Sequence, residues 1–174
     1  MTKYAAVPTN AERTFGEEEI IVSKTNLKGH ITYANDVFLS VGQYTEDELL
    51  GQPHSILRHP DMPRSVFKLL WDKIQDKKEI FAYVKNMAKS GDFYWVFAHV
   101  TPSYDNAGEI TGFHSNRRCP RPDAIAKIAP IYELVLGHEQ KQSDPKSGLA
   151  AGCETIAAFL EDQCMSYDEF VFSL

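Results

Sequence analysis

A chain of 174 residues with 43% hydrophobic and 11% aromatic content can fill one core of ordinary domain size and not two. A formal net charge of −6 excludes the broad positive field that nucleic acid or an anionic membrane demands, and no apolar run approaches bilayer-crossing length. Cys119, Cys153 and Cys164 are too few and too scattered for a disulfide framework, and no C-x-x-C or zinc-spaced His/Cys cluster occurs, so reduced thiols and a cytoplasmic location are expected. Residues 1–15 show no sustained period and read as a leader that stays mobile or docks elsewhere. Two short β-rich runs follow, Ile20 to Ser23 and His30 to Tyr33, joined by a hairpin turn at Asn26 to Gly29. From Asn35 the spacing of Val37, Phe38 and Val41 turns helical, with Gly42 as the stop and a Thr45/Glu48 capping box opening the next helix. Asp61 is a candidate cap for a longer helix, Pro63 suits its first turn, and Val66, Phe67, Leu70, Trp71 and Ile74 form one apolar stripe.

After Lys78 the period returns to two. Strands are expected over about Ile80 to Lys89, Asp92 to Ser103 and Glu109 to Arg117, with turns at Ser90-Gly91 and Asp105 to Gly108. The order predicts an α+β domain over 16–120, a five-stranded antiparallel sheet covered on one face by short helices that enclose a pocket. A flanking helix over 121–137, bent or broken near Pro130, a polar linker over 138–147 and one amphipathic helix over 148–174 complete the chain, the last as a docking or dimer face. On the middle meander strand Tyr94 runs in phase with Val96, Ala98 and Val100. Trp95, Phe97 and His99 fall on the other face, an aromatic surface that the leader, the C-terminal helix or a second subunit should cover.

The segment GQPHSILRHPDMP, residues 51–63, sets His54, Arg58, His59 and Asp61 between prolines. Prolines lower the entropy cost of holding a loop over a ligand, Arg58 offers a planar fork, and either histidine can donate or accept as charge on a bound ring changes. The same residues also suit a plain structural loop in which Arg58 pairs with Asp61 and the histidines cap helices. Asn86 shares a strand face with Ile80, Ala82 and Val84, so its amide needs a partner there. Trp71 suits either core or a ring-stacking wall, and Arg117, on the last strand, either reaches the pocket or ends in solvent.

PHSILRHPDMP, LLWDKI, YVKNMAKSGDFYWVFAHVTP and ITGFHSNRR, in this order, resemble the PAS domain of the aerotaxis receptor family over about residues 15–136. That resemblance implies the PAS fold, an FAD held in the helix-covered pocket, indirect oxygen sensing through its redox state, and control of a chemotaxis receptor or kinase by a homodimer. It implies cofactor-binding positions at Asn35, His54, Arg58, His59, Asp61, Trp71 and Asn86, to which Tyr94 is added from its strand phase and Arg117 from its place on the last strand. No membrane anchor or kinase-control region follows, so output in trans, or a piece of a longer receptor, is expected. FMN in place of FAD, a haem ligated by one of His54, His59, His99 or His114, and a cofactor-free interaction domain remain the alternatives. Adduct photochemistry is disfavoured because PHSILRHP contains no cysteine, and no enzyme motif or metal site occurs.

Overall fold

The computed structural model describes residues 6–174. Strand β1 (Ile21–Asn26) turns into β2 (Ile31–Ala34) where the Asn26 side chain accepts the N–H groups of Lys28 (2.9 Å) and His30 (3.0 Å) and Gly29 takes φ +76°. Asn35 then joins hairpin to helix. Its carbonyl oxygen accepts from Val22 N–H and from Phe38 N–H, which caps α1 (Asp36–Gly42), and its amide donates to the Ile20 carbonyl at 2.8 Å. Gly42 is the last residue of α1, and it is Gln43, at φ +60°, that turns the chain out. The Thr45/Glu48 capping box opens α2 (Glu46–Leu49) as expected. After a single 3-10 turn at His54–Leu57, α3 (Arg64–Gln75) lays its apolar stripe toward the sheet.

Strands β3 (Ile80–Met87), β4 (Phe93–Tyr104) and β5 (Ile110–Arg118) form the expected meander, and the sheet order is β2-β1-β5-β4-β3, antiparallel throughout. The pleat sends Ala82, Val84, Asn86, Tyr94, Val96, Ala98, Phe113, Ser115 and Arg117 to the face under the helices. On the opposite face Phe81 stacks on His99 at 4.1 Å, and Trp95 and Phe97 lie beside them.

That aromatic face is covered from within the chain. Helix α4 (Pro122–Gln140) runs unbroken through Pro130, and Tyr132 donates its hydroxyl to the edge carbonyl of Tyr83 at 2.8 Å while stacking near Trp95. The polar linker shortens to residues 141–144, and the last segment is two helices, α5 (Pro145–Asp162) and α6 (Tyr167–Ser173), split where Cys164 takes φ +50°. Helix α6 lays Phe172 against Phe81 at 4.8 Å, whereas α5 packs against α3 and α4.

The described part of the leader, residues 6–15, docks instead of floating. Phe93 N–H donates to Ala11 carbonyl and Arg13 N–H to Phe93 carbonyl, at 2.9 and 2.7 Å, along the stretch of β4 that β5 does not reach. Gly91 permits this approach, because a Cβ there would lie 2.1 Å from the Val7 carbonyl oxygen. Residues 1–5 of the expected leader lie outside the described residues.

Candidate functional site

Between the inner sheet face, α3 and the 3-10 turn lies a cavity of about 360 Å³. Val84, Val96, Ala98 and Val100 form its floor; Phe67, Leu70, Trp71 and Ile74 of α3 form one wall. Trp71 stands at the mouth with Lys28 and His114, edge-on to Phe113 at 5.4 Å, and its ring fits against Gly29, where a Cβ would come within 2.9 Å. That α3 bears these side chains follows from its stripe, since residues three and four apart share a helix face.

The polar end is built by β1 and β5. Arg117, 3% exposed, donates from Nη2 to Ser23 Oγ and to His54 Nε2, both at 2.6 Å, and its guanidinium lies 5.1 Å from the Phe38 ring centre. No described carboxylate pairs with it, and its Nη1 and the neighbouring Ser115 Oγ are buried without a hydrogen-bond partner. Burial draws the guanidinium down to about 10. Desolvation, followed by the positive charges of Arg117 and Arg58, pushes His54 down to about 3, so its ring is neutral and Nε2 is the acceptor. Arg58 stacks over Phe67 at 4.0 Å with its Nε buried and unpartnered, and its backbone bridges to Asn86 at the sheet edge. Asn86, 4% exposed, turns its amide into the cavity without a hydrogen bond to any described residue.

Of the residues singled out in the sequence, the cavity brings together His54, Arg58, Trp71, Asn86 and Arg117. Four stand elsewhere. Asn35 is engaged in capping α1. His59 is buried behind the loop, edge-on to Phe93, with Nδ1 accepting from Asp61 N–H at 3.1 Å and its pKa lowered by burial and then by Lys85. Asp61 is 57% exposed and pairs with Lys85 at 2.6 Å, so it neither caps α3 nor forms an ion pair with Arg58. Tyr94 is fully buried on the inner face, its hydroxyl unpartnered, but it does not line the cavity.

Sequence reasoning missed Ser23, Ser115 and Gly29. The alternation that places Phe113 and Arg117 inward places Ser115 inward too, and the β1 to β5 register sets Ser23 opposite it.

A family model described as the PAS fold matches residues 31–117, half of the chain. The chain is 38% identical over 127 residues to an aerotaxis receptor of Escherichia coli (strain K12), covering 73% of this chain and 25% of that protein. It is 26% identical over 102 residues to a nitrogen fixation regulatory protein of Klebsiella pneumoniae, covering 59% of this chain and 21% of that one. This chain thus spans about a quarter or less of the length of these curated relatives. Among solved structures, the light-state LOV domain of the blue-light photoreceptor Aureochrome1 superposes with a TM-score of 0.55 at 22% identity, over 66% of this chain and 89% of that one. Among the described residues no helix is long and apolar enough to cross a membrane. The chain belongs to the PAS family, its sensor domain being of the aerotaxis-receptor type.

Proposed function

We propose that this PAS domain binds a flavin, FAD in particular, in the cavity beneath α3 and reports its redox state, and through it oxygen, to a chemotaxis-type signalling partner in trans, as a homodimer. The observation that carries the reading is the buried Arg117 guanidinium with no described carboxylate beside it, an Nη1 without a partner and an unsatisfied Ser115 Oγ next to it. Unpaired buried groups of this kind cost about 1–3 kcal/mol each, more when charged, so a cofactor-free core of this composition is disfavoured. A cavity of about 360 Å³ is near the lower end of the roughly 300–1,000 Å³ of ligand sites. It has room for a fused aromatic ring, and the rest of a dinucleotide would pass out through the mouth beside Lys28 and His114.

Bound there, a flavin supplies reversible electron uptake with a change of charge and protonation on its ring. Arg117 Nη1 and Ser115 Oγ offer donors to an electron-rich ring edge, Asn86 offers either a donor or an acceptor according to how its amide is turned, and Trp71 and Leu70 exclude water at the mouth. An amide that can turn is suited to report a change of ring protonation, since each orientation satisfies one state.

The histidines argue against haem. His54 Nε2 already accepts from Arg117, His99 pairs with Glu79 on the outer face, His114 Nε2 lies 3.1 Å from Asn116 Oδ1, and His59 does not line the cavity. None of the three cysteines lines it either, consistent with a site without adduct photochemistry. Titration of ligand-free protein with FAD, FMN and haem, followed by absorbance, tests the reading: saturable one-to-one uptake of FAD supports it, while haem uptake or no uptake refutes it. The signalling half predicts different protease sensitivity and self-association for oxidised and reduced protein; identical behaviour would remove it.

A further inference from the structure

Helix α3 has no side-chain cap of its own, and Pro63 stands at its N-cap position. The orphan N–H groups of its first turn are met from the other end of the chain. Glu139, 8% exposed near the end of α4, accepts the N–H of Arg64 at 3.0 Å and, through its other oxygen, the N–H and hydroxyl of Ser65 at 2.8 and 2.7 Å. A carboxylate at a helix N-terminus matches the positive end of the dipole. Arg64 adds a bond from Nη1 to the Pro145 carbonyl at the start of α5.

The junction is shaped for that carboxylate. A Cβ on Gly148 of α5 would sit 2.6 Å from the Glu139 carbonyl oxygen, and one on Gly152 would sit 2.5 Å from Glu139 Oε1 and 2.7 Å from Ser65 Oγ. Two glycines one turn apart thus bring α5 onto Glu139 and α3 together. The turn that Glu139 holds leads straight into the cavity wall: Phe67, on which the Arg58 guanidinium lies, follows Arg64 by three residues, and Leu70 and Trp71 continue that stripe along α3. The Glu139 charge also offsets part of the burial that lowers Arg58.

We infer that Glu139 is a positioning residue for the cavity: by capping α3 from α4 it fixes the Phe67 to Trp71 wall and ties that wall mechanically to the seating of α4 and α5. The ligand arm of this inference rests on the flavin reading; the mechanical arm does not. Cavity occupancy and the packing of the C-terminal helices are then one coupled equilibrium, because displacing α3 breaks the Glu139 bonds and lifting α4 uncaps α3.

Hydrogen-exchange mass spectrometry on the full chain tests it, with Glu139→Ala, Glu139→Gln and Gly148→Ala, the last reaching α4 and not α3. Ligand-free Glu139→Ala is expected to exchange at least about tenfold faster over residues 64–71 and over α5, with Glu139→Gln intermediate because its amide oxygen still serves Ser65 while its NH₂ cannot accept from Arg64. Gly148→Ala is expected to raise exchange over 64–71 although it touches no α3 atom. With FAD added, wild-type protein should gain protection in α5 as well as α3, and Glu139→Ala should bind FAD about tenfold more weakly and lose the α5 response. A merely structural Glu139 would leave FAD affinity and the α5 response to FAD intact in the variants, which would overturn the coupling. Should Glu139→Ala not fold, Glu139→Gln and Gly148→Ala carry the same readouts. Failure of wild-type protein to bind FAD would refute the flavin reading, and wild-type exchange rates over 64–71 in the ligand-free variants would independently overturn the Glu139 inference.

Discussion

Replacing Arg117 with Met separates stability from binding in a way that a structural arginine would not. Burial draws this guanidinium from 12.5 down to about 10, so at neutral pH, far below both values, the folded protein carries about 3 kcal/mol of unfavourable charge burial. Methionine removes that cost at similar volume, but it leaves Ser23 Oγ and His54 Nε2 without the bonds Arg117 makes to them, a loss of about 2 kcal/mol in total. The net change in ligand-free stability is therefore within about 1 kcal/mol of zero, in the stabilising direction. Binding behaves differently: losing a charge-assisted bond to a ring edge, worth about 1.5–3 kcal/mol, weakens FAD by about 10- to 150-fold. Chemical denaturation of the ligand-free variant and an FAD titration measure both. A stability loss above about 3 kcal/mol together with unchanged FAD affinity would refute the reasoning.

Asn86→Val removes an amide that faces the cavity with no described hydrogen-bond partner, so ligand-free stability should change by less than about 1 kcal/mol in denaturant titrations while FAD affinity falls about tenfold. Because His54 is held near 3, well below its usual 6.5, the folded state favours its neutral form. The associated stability is complete above pH 6.5 and is lost as pH falls from there toward 3; with the ring part-exposed to the cavity, about 2 kcal/mol is expected, and His54→Gln should flatten that slope in pH-dependent thermal melts. Asp61→Ala breaks the pair with Lys85 and the 3.4 Å contact with the His59 ring, both outside the cavity, and should change FAD affinity less than twofold and stability by at most about 1 kcal/mol. Gly91→Ala, at φ +96° and against the Val7 carbonyl, should release residues 6–13, seen as faster exchange there, with a stability loss of about 1–3 kcal/mol.

The sheet was legible because its evidence is local: alternation sets the two faces of β3 to β5, and Gly and Asp mark the turns. His54, Arg58, Trp71, Asn86 and Arg117 line one cavity. For Asn86 that placement was legible from strand phase and for His54 and Arg58 from the proline-flanked loop, whereas Trp71 rested on the family resemblance and the strand position of Arg117 suited pocket and solvent alike. Asp61 misled for a physical reason. Its spacing suited a local cap, yet a carboxylate 74 residues from Ser65 satisfies α3 instead, and Asp61 turns outward to Lys85. Contacts closed by distant chain segments leave no spacing signal, which is also why the close crossing at Gly148 and Gly152 went unread. The split of the last segment at Cys164 did carry a local one, the Ser166/Glu169 capping box that opens α6, and the continuous apolar spacing masked it. Pro130 suggested a bend or break in α4; the break does not occur, and the helix, with Ile128, Tyr132 and Val135 buried on either side, continues through it.

A crystal structure of the protein reconstituted with FAD tests the central claim most directly. The fused ring should lie between Trp71 and the polar end of the cavity, with ring heteroatoms about 3 Å from Arg117 Nη1 and from the Asn86 amide. A ring bound outside the cavity, or an Arg117 turned away to pair with a carboxylate while FAD sits elsewhere, would contradict it.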